Sequence, residues 1–421
     1  MYAVVLSVGD EVVDGQVVDR NAAWLSRELL RLGVDVMRHE AVRDVEEAIE
    51  AAVREAARRA HLVVVSGGLG PTEDDVTRHG VAAAAGVHLE LHEPSLARIE
   101  ERFRRYGRPM PVQNRIQAMV PQGAAVLPNH EGTAPGFVVA CQEAQVAVLP
   151  GVPREMEAMF VRHLRGLIGA MPVERRPIRT EVLRTFGLPE SAINQTIRHL
   201  MGRVANPLVG LLVSEGVISV KFTATARTQE QAAGLIRPVR EEVRRLLGDA
   251  VFGTGEETLE QVVARLLEAR RATIAVAESC TGGLIGHYIT QVPGISRFFL
   301  EDLVTYSDGS KTRVLGVPQE TIERVGAVSQ EVAAAMAEGV RRRAGADIGL
   351  STTGIAGPGG ASPEKPVGLV HFGLATEEGT RTEQRRLVGS RHVVKDRAAK
   401  AALDLLRRYL EERGDWSRGA S

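Results

Sequence analysis

A serine on a glycine-rich turn is the first feature of this sequence that could do chemistry. Ser279 lies in the segment ESCTGG at residues 278–283, between an apolar run that predicts a buried strand and a run with helical spacing. Such a turn can lift a small side chain out of a sheet, and the glycines after it let a substrate approach backbone N–H groups at a helix start. This geometry is typical of a nucleophile. The alternative is that Ser279 or Thr281 is an ordinary N-cap residue.

A serine hydroxyl needs a base, because it is too weakly acidic to lose its proton unaided. His287 lies eight residues after Ser279, about two helical turns away, so we expect it to be out of reach. His371 lies within a predicted strand and is as readily a core histidine. Lys311 could be the base if burial or a neighbouring cation lowered its pKa, although composition alone favours a solvent-facing lysine.

A second glycine-rich loop follows another predicted strand. The strand at residues 61–65 runs into SGGLGP at residues 66–71, whose glycines can offer N–H groups to a phosphate or a polyhydroxylated ligand. Asp74 and Asp75 come just after this loop and are hard oxygen ligands suited to Mg²⁺ or Mn²⁺. The alternative is a tight turn, with both acids complementing the dipole of a helix start.

The elements around both turns predict an α/β fold. In the first part of the chain, apolar strands at residues 2–8 and 61–65 alternate with a segment of helical spacing at residues 19–32. This order is typical of a mostly parallel sheet, whose binding sites lie at the carboxyl ends of the strands. We therefore expect the two polar clusters of this part of the chain, at residues 9–11 and 66–77, at that edge of the sheet.

The composition is that of a globular chain of two or three domains. Its 421 residues are too many for one ordinary core, and 44% apolar with 25% charged residues argues against disorder. Aromatic residues make up only 4%, and 52 basic residues face 53 acidic ones. Neither base stacking nor nonspecific binding to a phosphate backbone is therefore favoured.

Cysteine usage and hydropathy predict a soluble cytoplasmic protein. The two cysteines, Cys141 and Cys280, lie in different predicted domains, so no disulfide framework is implied and a reducing compartment fits. The start of the sequence lacks a cationic leader, and no apolar run approaches the roughly 20 residues that span a bilayer. We expect no membrane contact.

A proline-bounded polar segment, PVERRP at residues 172–177, predicts a domain boundary. Beyond it, residues 217–225 alternate as a half-buried strand. Thr228 and Gln231 have the spacing of a capping box that opens a helix closed by Gly248.

The loop SGGLGPTEDDVT, at residues 66–77, resembles the signature of the MogA/MoaB-like molybdopterin-binding fold in the version carried by the CinA family. Three further segments match in the expected order, at residues 9–21, 131–136 and 149–156. The resemblance implies a metal-dependent pyrophosphatase that splits ADP-ribose into AMP and ribose 5-phosphate, a reaction in which metal ions neutralise charge and activate water.

By this resemblance Asp75, then Asp74, would hold the divalent metal, Mg²⁺, Mn²⁺ or Co²⁺. The residues that would contact the substrate are Ser66, Gly67, Gly68, Gly70, Asn21, Glu11 and Glu131.

The middle region, residues 173–255, resembles the KH-like module of CinA proteins. Nucleic-acid-binding KH domains clamp the backbone with a Gly-x-x-Gly loop, and this spacing does not occur between residues 173 and 255. We therefore expect a spacer or dimerisation element.

The last region, residues 257–415, resembles the PncC domain, a nicotinamide-nucleotide amidohydrolase, through ESCTGG, through VTYSDGSK at residues 304–311, through residues 328–329 and through TGIAGP at residues 353–358. The resemblance implies hydrolysis of nicotinamide mononucleotide to nicotinic acid mononucleotide and ammonia, without a cofactor. Ser279 would be the nucleophile, Lys311 its base, and Tyr306 would orient groups or relay protons.

The residues that would bind this substrate are Thr281, Gly282, Gly283, Ser329, Thr353, Gly354, Ala356, Gly357 and Arg391. The glycine-rich turn from Thr353 would donate N–H groups to the developing oxyanion or to the phosphate. Ser329 could equally be only the N-cap of a helix that begins at Gln330.

Taken together, the sequence predicts three domains: a MogA/MoaB-like three-layer α/β domain at residues 1–168, a small α+β KH-like domain at residues 173–255 and a PncC-type α/β domain at residues 257–415. The expected function is a bifunctional enzyme of pyridine-nucleotide salvage, homodimeric by resemblance. The alternatives are a competence or DNA-damage accessory protein that binds nucleic acid or a partner, and a molybdopterin-binding protein. Near-neutral charge and few aromatics count against the first, and fold alone does not decide the second.

Overall fold

In the computed structural model, which describes residues 1–173, 176–202 and 205–412, six strands of the N-terminal region form one sheet. In chain order, the strands of this region are β1 (Tyr2–Val8), β2 (Asp35–Val42), β3 (Leu62–Ser66), β4 (Leu89–Leu91), β5 (Met119–Pro121), β6 (Ala125–Leu127), β7 (Gly136–Cys141) and β8 (Ala144–Leu149). The sheet has the order β2-β1-β3-β8-β7-β6, and β4 with β5 forms a separate antiparallel pair. Strands β2, β1, β3 and β8 are parallel to one another. Strand β7 is antiparallel to β8, and β6 is antiparallel to β7.

Helices cover both faces of this sheet. They are α1 (Asp10–Val13), α2 (Arg20–Arg31), α3 (Glu46–Ala57), α4 (Thr77–Ala85), α5 (Glu93–Arg105), α6 (Pro153–Met159) and α7 (Arg165–Ala170). Val4 of β1 lies in one hydrophobic cluster with Ile49 of α3, and Val5 lies in another with Leu25 of α2. Because successive strand residues face opposite sides, this arrangement confirms the predicted three-layer α/β architecture.

The middle region forms a four-stranded sheet with two helices. The elements are β9 (Ile178–Thr185), α8 (Glu190–Ile197), β10 (Leu208–Ser214), β11 (Val217–Thr225), α9 (Gln229–Leu247) and β12 (Val251–Thr254), and the strand order is β10-β11-β9-β12. Strand β11 has the predicted bounds, and its predicted inner face is buried from Ile218 to Ala224. Thr228 Oγ1 accepts a hydrogen bond from Gln231 N at 3.1 Å, as the capping pattern predicts.

The C-terminal region is built on a five-stranded sheet. Its elements are α10 (Leu259–Arg270), β13 (Ile274–Glu278), α11 (Leu284–Thr290), β14 (Phe299–Val304), α12 (Asp308–Leu315), α13 (Gln319–Val325), α14 (Gln330–Ala344), β15 (Ile348–Gly354), β16 (Leu369–Thr376), β17 (Gly379–Arg386) and α15 (Arg391–Glu412). The order is β14-β13-β15-β16-β17, and the first three strands are parallel to one another. Strand β16 is antiparallel to β15, and β17 is antiparallel to β16.

Strand β13 lies at the point where this sheet changes direction. The chain passes from β13 to β14 on one side and returns to β15 on the other. Ala275 packs with Met336 of α14, and Val276 packs with Leu406 of α15, so helices again cover both faces. In such sheets a crevice opens beyond the carboxyl ends of the strands at the switch point, which is where the chain places the turn after β13.

The chain forms two compact units, one of residues 1–179 with 224–233 and one of residues 180–223 with those from 234 on. The boundary predicted at residues 172–177 lies partly outside the described residues, and residues 413–415 of the predicted third domain lie outside them. Among the described helices, none combines the length and the apolar character needed to cross a bilayer. Cys141 and Cys280 are both free and buried.

Candidate active sites

Ser279 and Lys311 meet beyond the carboxyl end of β13. Lys311 Nζ donates hydrogen bonds to Ser279 Oγ at 3.2 Å and to Thr305 O at 2.9 Å. The lysine is only 1% exposed and the serine 8%. Burial lowers the pKa of Lys311, which the charge of Asp308 partly opposes. A neutral amine in contact with a hydroxyl can take its proton, so the pair has the geometry of a base and a nucleophile.

Two left-handed glycines form the turn that carries Ser279. Gly282 has φ +61° and Gly283 has φ +92°, conformations that residues with a Cβ rarely adopt. Gly283 is the N-cap of α11, so the alternative that Ser279 or Thr281 caps this helix is wrong. The fully buried Thr281 instead shares a hydrogen bond of 2.8 Å with Thr352 Oγ1, which ties the turn to β15.

The carboxylate of Glu278 holds the same turn from inside. Glu278 is fully buried and accepts hydrogen bonds from Gly283 N at 2.8 Å and Gly286 N at 2.9 Å. Gly282 N donates to Ser279 O at 3.1 Å. The N–H groups of Gly282 and Gly283 are thus engaged within the turn, which corrects the expectation that they are free to meet a substrate.

Cys280, next to Ser279, is not a competing nucleophile. It is 5% exposed, and burial raises the pKa of its thiol to about 12. Because the thiolate is the reactive form, a thiol held protonated in this way is inert at neutral pH.

The two histidines considered as bases lie elsewhere. His287 is exposed on α11, and His371 is buried on β16, where burial lowers its pKa. In the described part of the chain, neither forms a hydrogen bond with Ser279. The structure therefore brings Lys311, alone among the three candidates, to the serine.

Tyr306 and Arg391 contact each other. Arg391 donates to Tyr306 Oη at 2.7 Å and to Gly357 O at 2.7 Å. Tyr306 is 59% exposed, and no hydrogen bond in residues 1–173, 176–202 and 205–412 joins it to Lys311. This geometry gives no support to a proton relay through Tyr306.

Several predicted binding residues use their polar groups to hold the crevice together. Ser329 Oγ caps α14 by accepting from Val332 N at 3.3 Å, and it donates to Gly326 O at 3.0 Å. Thr353 Oγ1 donates to Ala327 O at 2.7 Å. The structure therefore supports the interpretation of Ser329 as the N-cap of α14.

The remaining predicted positions, Gly354, Ala356 and Gly357, line the end of β15 and the turn after it. A Cβ on Gly354 would lie 2.7 Å from Leu369 O, and one on Gly357 would lie 2.7 Å from Val367 Cγ1. Ala356 is buried. Glycine is required here by the protein's own close packing.

Lys395 belongs to this site and was not predicted. Its Nζ lies 3.3 Å from the position that a Cβ on Gly282 would take. Residues 391 and 395 are four apart on α15, and this spacing places side chains on one helix face. This helical spacing could have indicated Lys395 from the sequence, since Arg391 was already a predicted substrate-binding residue.

The N-terminal loop is closed by its own aspartate. Asp75 accepts hydrogen bonds from Gly70 N at 2.7 Å and Thr72 N at 2.9 Å. Added Cβ atoms would lie 2.1 Å from Val8 O at Gly67 and 2.0 Å from Thr77 Oγ1 at Gly68. The glycines thus permit tight packing of the loop, and both oxygens of Asp75 hold it.

Acidic side chains do gather beside this loop. Asp44, which follows β2, accepts from Asp10 N at 2.8 Å. Burial and the charges of Asp10, Glu11 and Asp74 raise the pKa of Asp44. The sequence interpretation missed Asp44, because only the parallel pairing of β1 with β2 brings residues 10 and 44 together.

The described residues contain no group of three or more His, Cys, Asp or Glu side chains arranged to hold a metal ion. Mg²⁺, however, usually takes only one or two carboxylates and completes its shell with water and substrate phosphates. The exposed Asp74 and the partly buried Asp44 fit that pattern, whereas Asp75 is engaged in closing the loop.

Asn21 and Ser66 join three of the N-terminal motifs. Asn21 Nδ2 donates to Ser66 Oγ at 3.1 Å and to Gly151 O at 2.7 Å, and Ser66 Oγ donates to Pro150 O at 3.2 Å. These contacts lie at the carboxyl ends of β3 and β8, where a parallel sheet is expected to bind ligands.

Glu131 lies among arginines. Its carboxylate pairs with Arg154 at 2.9 Å and Arg162 at 3.8 Å. The buried Asn129 shapes this loop, since its Oδ1 accepts from Glu131 N and Gly132 N. Among the described residues no hydrogen bond or ion pair links Glu131 to the loop at 66–71, so the structure leaves this predicted site residue apart from the others.

Three family models match the chain in succession. The probable molybdopterin binding domain matches residues 4–170, the damage-inducible protein CinA KH domain matches residues 180–253, and the CinA C-terminal domain matches residues 256–410. The chain therefore consists of a MoaB-like N-terminal domain, a KH-like middle domain and a CinA C-terminal α/β domain, as predicted.

Relatives match over almost the whole length. A protein of Clostridium novyi (strain NT), named as a competence-damage inducible protein, is 41% identical over 414 residues, which cover 98% of this chain and 100% of the relative. A CinA-like protein of Kosmotoga olearia is 40% identical over 410 residues, covering 97% and 99%. A crystal structure of the protein CinA from Thermoplasma acidophilum matches 39% of this chain and 97% of its own, at 38% identity and a TM-score of 0.37. Because the Clostridium novyi and Kosmotoga olearia proteins are at least 40% identical over almost the whole of both chains, and all three domain models match in order, the chain belongs to the CinA family.

Proposed function

We propose that the C-terminal domain hydrolyses the carboxamide of nicotinamide mononucleotide, with Ser279 as nucleophile and Lys311 as base. The observation that carries this proposal is the buried contact of 3.2 Å between Lys311 Nζ and Ser279 Oγ. The choice of nicotinamide mononucleotide rests on the resemblance of the surrounding motifs to the amidohydrolase family.

The proposed reaction has two halves. Ser279 Oγ bonds to the carboxamide carbon while its proton passes to Lys311 Nζ, and the ammonium then protonates the departing nitrogen, which leaves as ammonia. Water attacks the resulting ester with Lys311 again taking the proton. Ser279 then leaves as a protonated hydroxyl, and nicotinic acid mononucleotide is released.

The oxyanion needs donors other than Gly282 and Gly283, whose N–H groups are engaged. At strand–turn–helix nucleophiles the N–H of the next residue usually contributes, and here that residue is Cys280. The cations Arg391 and Lys395, on one face of α15, would bind the phosphate of the nucleotide.

The test compares ammonia release from nicotinamide mononucleotide by the wild type, Ser279→Ala and the control Ser214→Ala. Ser214 is an exposed serine at the end of β10, so its loss should not affect the reaction. We expect activity in the wild type and the control and none in Ser279→Ala. Equal activity in all three proteins would refute the proposal.

A second candidate function belongs to the N-terminal domain. We infer that it cleaves the pyrophosphate of ADP-ribose into AMP and ribose 5-phosphate with Mg²⁺, Mn²⁺ or Co²⁺. Support comes from Asp44, whose pKa is raised by burial and by the nearby charges of Asp10, Glu11 and Asp74. Asp74 and Asp44 would hold the ion, which neutralises phosphate charge and activates water when bound.

AMP release from ADP-ribose, with and without each metal, tests this second function. We expect metal-dependent release by the wild type and by Asp35→Asn, a control at the exposed start of β2. Asp74→Asn should release none. Metal-dependent cleavage by Asp74→Asn at the wild-type rate would exclude this ligand assignment.

A further inference from the structure

A fully buried carboxyl group, that of Glu278, and a half-buried one, that of Asp302, lie side by side behind the nucleophile turn. Glu278 ends β13, and Asp302 lies on the neighbouring strand β14, where Val276 pairs with Asp302 and Glu278 with Val304. Residues two apart on a strand share one face, so both carboxyl groups are on the same face of the sheet.

Both groups meet at Gly286 of α11. Gly286 N donates to Glu278 Oε1 at 2.9 Å, and a Cβ on Gly286 would lie 2.0 Å from Asp302 Oδ2. The missing side chain of Gly286 is therefore what makes room for Asp302. Helix α11 rests its first turn on this pair of acids.

One proton shared between the two acids explains how they coexist. Two adjacent carboxylates removed from water cannot both ionise at low cost. Glu278 accepts hydrogen bonds from two backbone N–H groups, one on each carboxylate oxygen. Asp302 Oδ1 is buried without a hydrogen-bond partner among the described residues. Burial and the charge of Glu278 raise the pKa of Asp302 to about 7, so Asp302 is the member of the pair that carries the proton below pH 7.

We propose that protonated Asp302 is a positioning residue for Ser279: its O–H donates to the Glu278 carboxylate, which in turn holds Gly283 and Gly286 and thereby the nucleophile turn. The effect on turnover rests on the proposed amidohydrolase function, whereas the effect on the reactivity of Ser279 does not. Loss of the proton removes the donor and sets two negative charges against each other under the turn.

Other ionisable groups lie on the elements packed around this pair of acids. They are Lys311 of α12, Lys395 of α15, the exposed His287 of α11, Cys280 in the turn, and Glu301 of β14, which pairs with Arg343 of α14.

The test measures the rate at which a small fluorophosphonate labels Ser279, by mass spectrometry of the intact full-length protein, on both sides of about pH 7. Asp302→Ala removes the donor, so we expect labelling below pH 7 to slow about 10- to 100-fold, as small misplacements of reacting groups do. Asp302→Asn keeps an N–H donor without the titration. It should label near the wild-type rate and lose the component with an apparent pKa near 7.

Glu301→Gln is the matched control, since it changes a carboxylate at the adjacent position of the same strand, in a surface ion pair with Arg343. It should leave both the rate and the pH profile unchanged. Asp302→Ala labelled at the wild-type rate, with the wild-type pH profile, would overturn the inference.

Gly286→Ala provides a second test that does not require Asp302→Ala to fold. The added methyl group should displace Asp302 and slow labelling. In the double variant with Asp302→Gly, the side chain that clashes is gone, so adding Gly286→Ala to Asp302→Gly should cost little more. Full additivity of the two changes would contradict the proposed contact.

Turnover of nicotinamide mononucleotide, measured on the same proteins, separates this inference from the proposed function. If labelling depends on Asp302 but the protein does not turn over nicotinamide mononucleotide, the positioning role is supported and the assignment of nicotinamide mononucleotide as substrate is refuted. Turnover that is the same in the wild type and Asp302→Ala, with equal labelling, refutes the positioning role and leaves the amidohydrolase in place.

Discussion

At residues 66–71 and 278–283 the chain leaves a parallel strand through a glycine-rich turn, but the polar groups beside the two turns have different partners. In the first turn Asp75 folds back onto Gly70 and Thr72. In the second, Ser279 meets Lys311, a residue from another helix that is only 1% exposed.

The difference shows that a glycine-rich turn after a strand does not by itself predict chemistry. A side chain satisfied by its own loop stabilises that loop, whereas a side chain that meets a buried titratable group from another element can react. Both turns leave an acid bonded to turn N–H groups, Asp75 in one and Glu278 in the other. In the second turn, however, the hydroxyl remains available to the amine.

The largest expected effect removes the base. Lys311→Met should lower kcat/KM for nicotinamide mononucleotide about 10²- to 10⁴-fold, because a positioned base contributes that much. Steady-state ammonia release measures it. Lys221→Met, at an exposed position of β11, is the control. If kcat/KM of Lys311→Met lies within a factor of two of that of the control, the turn at residues 278–283 has only a structural role.

The pH profile sharpens the same contrast. Burial lowers the pKa of Lys311 below its ordinary value of 10.5, and only the neutral amine can act as base. The limb of kcat/KM that reports Lys311 should therefore rise about tenfold per pH unit below its pKa and level off above it. A limb that levels off only at or above 10.5 would contradict a buried base.

At the N-terminal turn we expect a loss of stability. Asp75→Ala leaves two loop N–H groups without their acceptor and should destabilise the first unit by about 1–3 kcal/mol. Asp74→Ala should leave the unfolding midpoint unchanged, because that side chain is exposed. If Asp75→Ala and Asp74→Ala unfold at the same urea concentration, the proposed structural role of Asp75 is wrong.

Trp24 is the reporter for this measurement. It packs edge-on against Phe160, with ring centroids 5.3 Å apart, inside the first unit. The chain has two tryptophans, so in a Trp416→Phe background Trp24 fluorescence follows the unfolding of that unit alone.

A smaller effect is expected from Lys395, the cation that was not predicted from the sequence. Lys395→Met should raise KM for nicotinamide mononucleotide about tenfold, as loss of a charge-assisted contact does, with little change in kcat. Lys395→Arg should retain the wild-type KM. An unchanged KM in Lys395→Met would show that this ammonium does not contact the nucleotide.

The smallest effect is expected at Tyr306. Since it is 59% exposed and its hydroxyl accepts from Arg391, Tyr306→Phe should lower kcat/KM less than about tenfold, roughly the value of one hydrogen bond. A loss as large as that of Lys311→Met would restore the proton-relay role that the resemblance implied.

Local patterns predicted most of the elements. Strand β3 covers residues 62–66 where 61–65 were predicted, β11 has the predicted bounds 217–225, and the helix predicted after Thr228 ends at Leu247, next to Gly248. Apolar periodicity and capping residues depend on neighbours in sequence, so they can be interpreted without a structure.

Residues whose partners are distant in sequence were missed or misjudged. Asp44 meets Asp10 only through the pairing of β1 with β2, and Glu278 meets Asp302 only through the pairing of β13 with β14. Tyr306, which the resemblance implies would orient groups or relay protons, accepts a hydrogen bond from Arg391, which lies 85 residues further along the chain.

The sequence by itself determined the order of strands and helices, the two glycine-rich turns and the choice of Ser279 and Lys311 as candidates. Only the tertiary structure decided which polar groups the turns use for themselves and which remain for chemistry. The physical reason is that burial and hydrogen bonding depend on the elements that surround a side chain. Packed strands and helices exclude water around both groups, which lowers the pKa of Lys311 and raises that of Asp302.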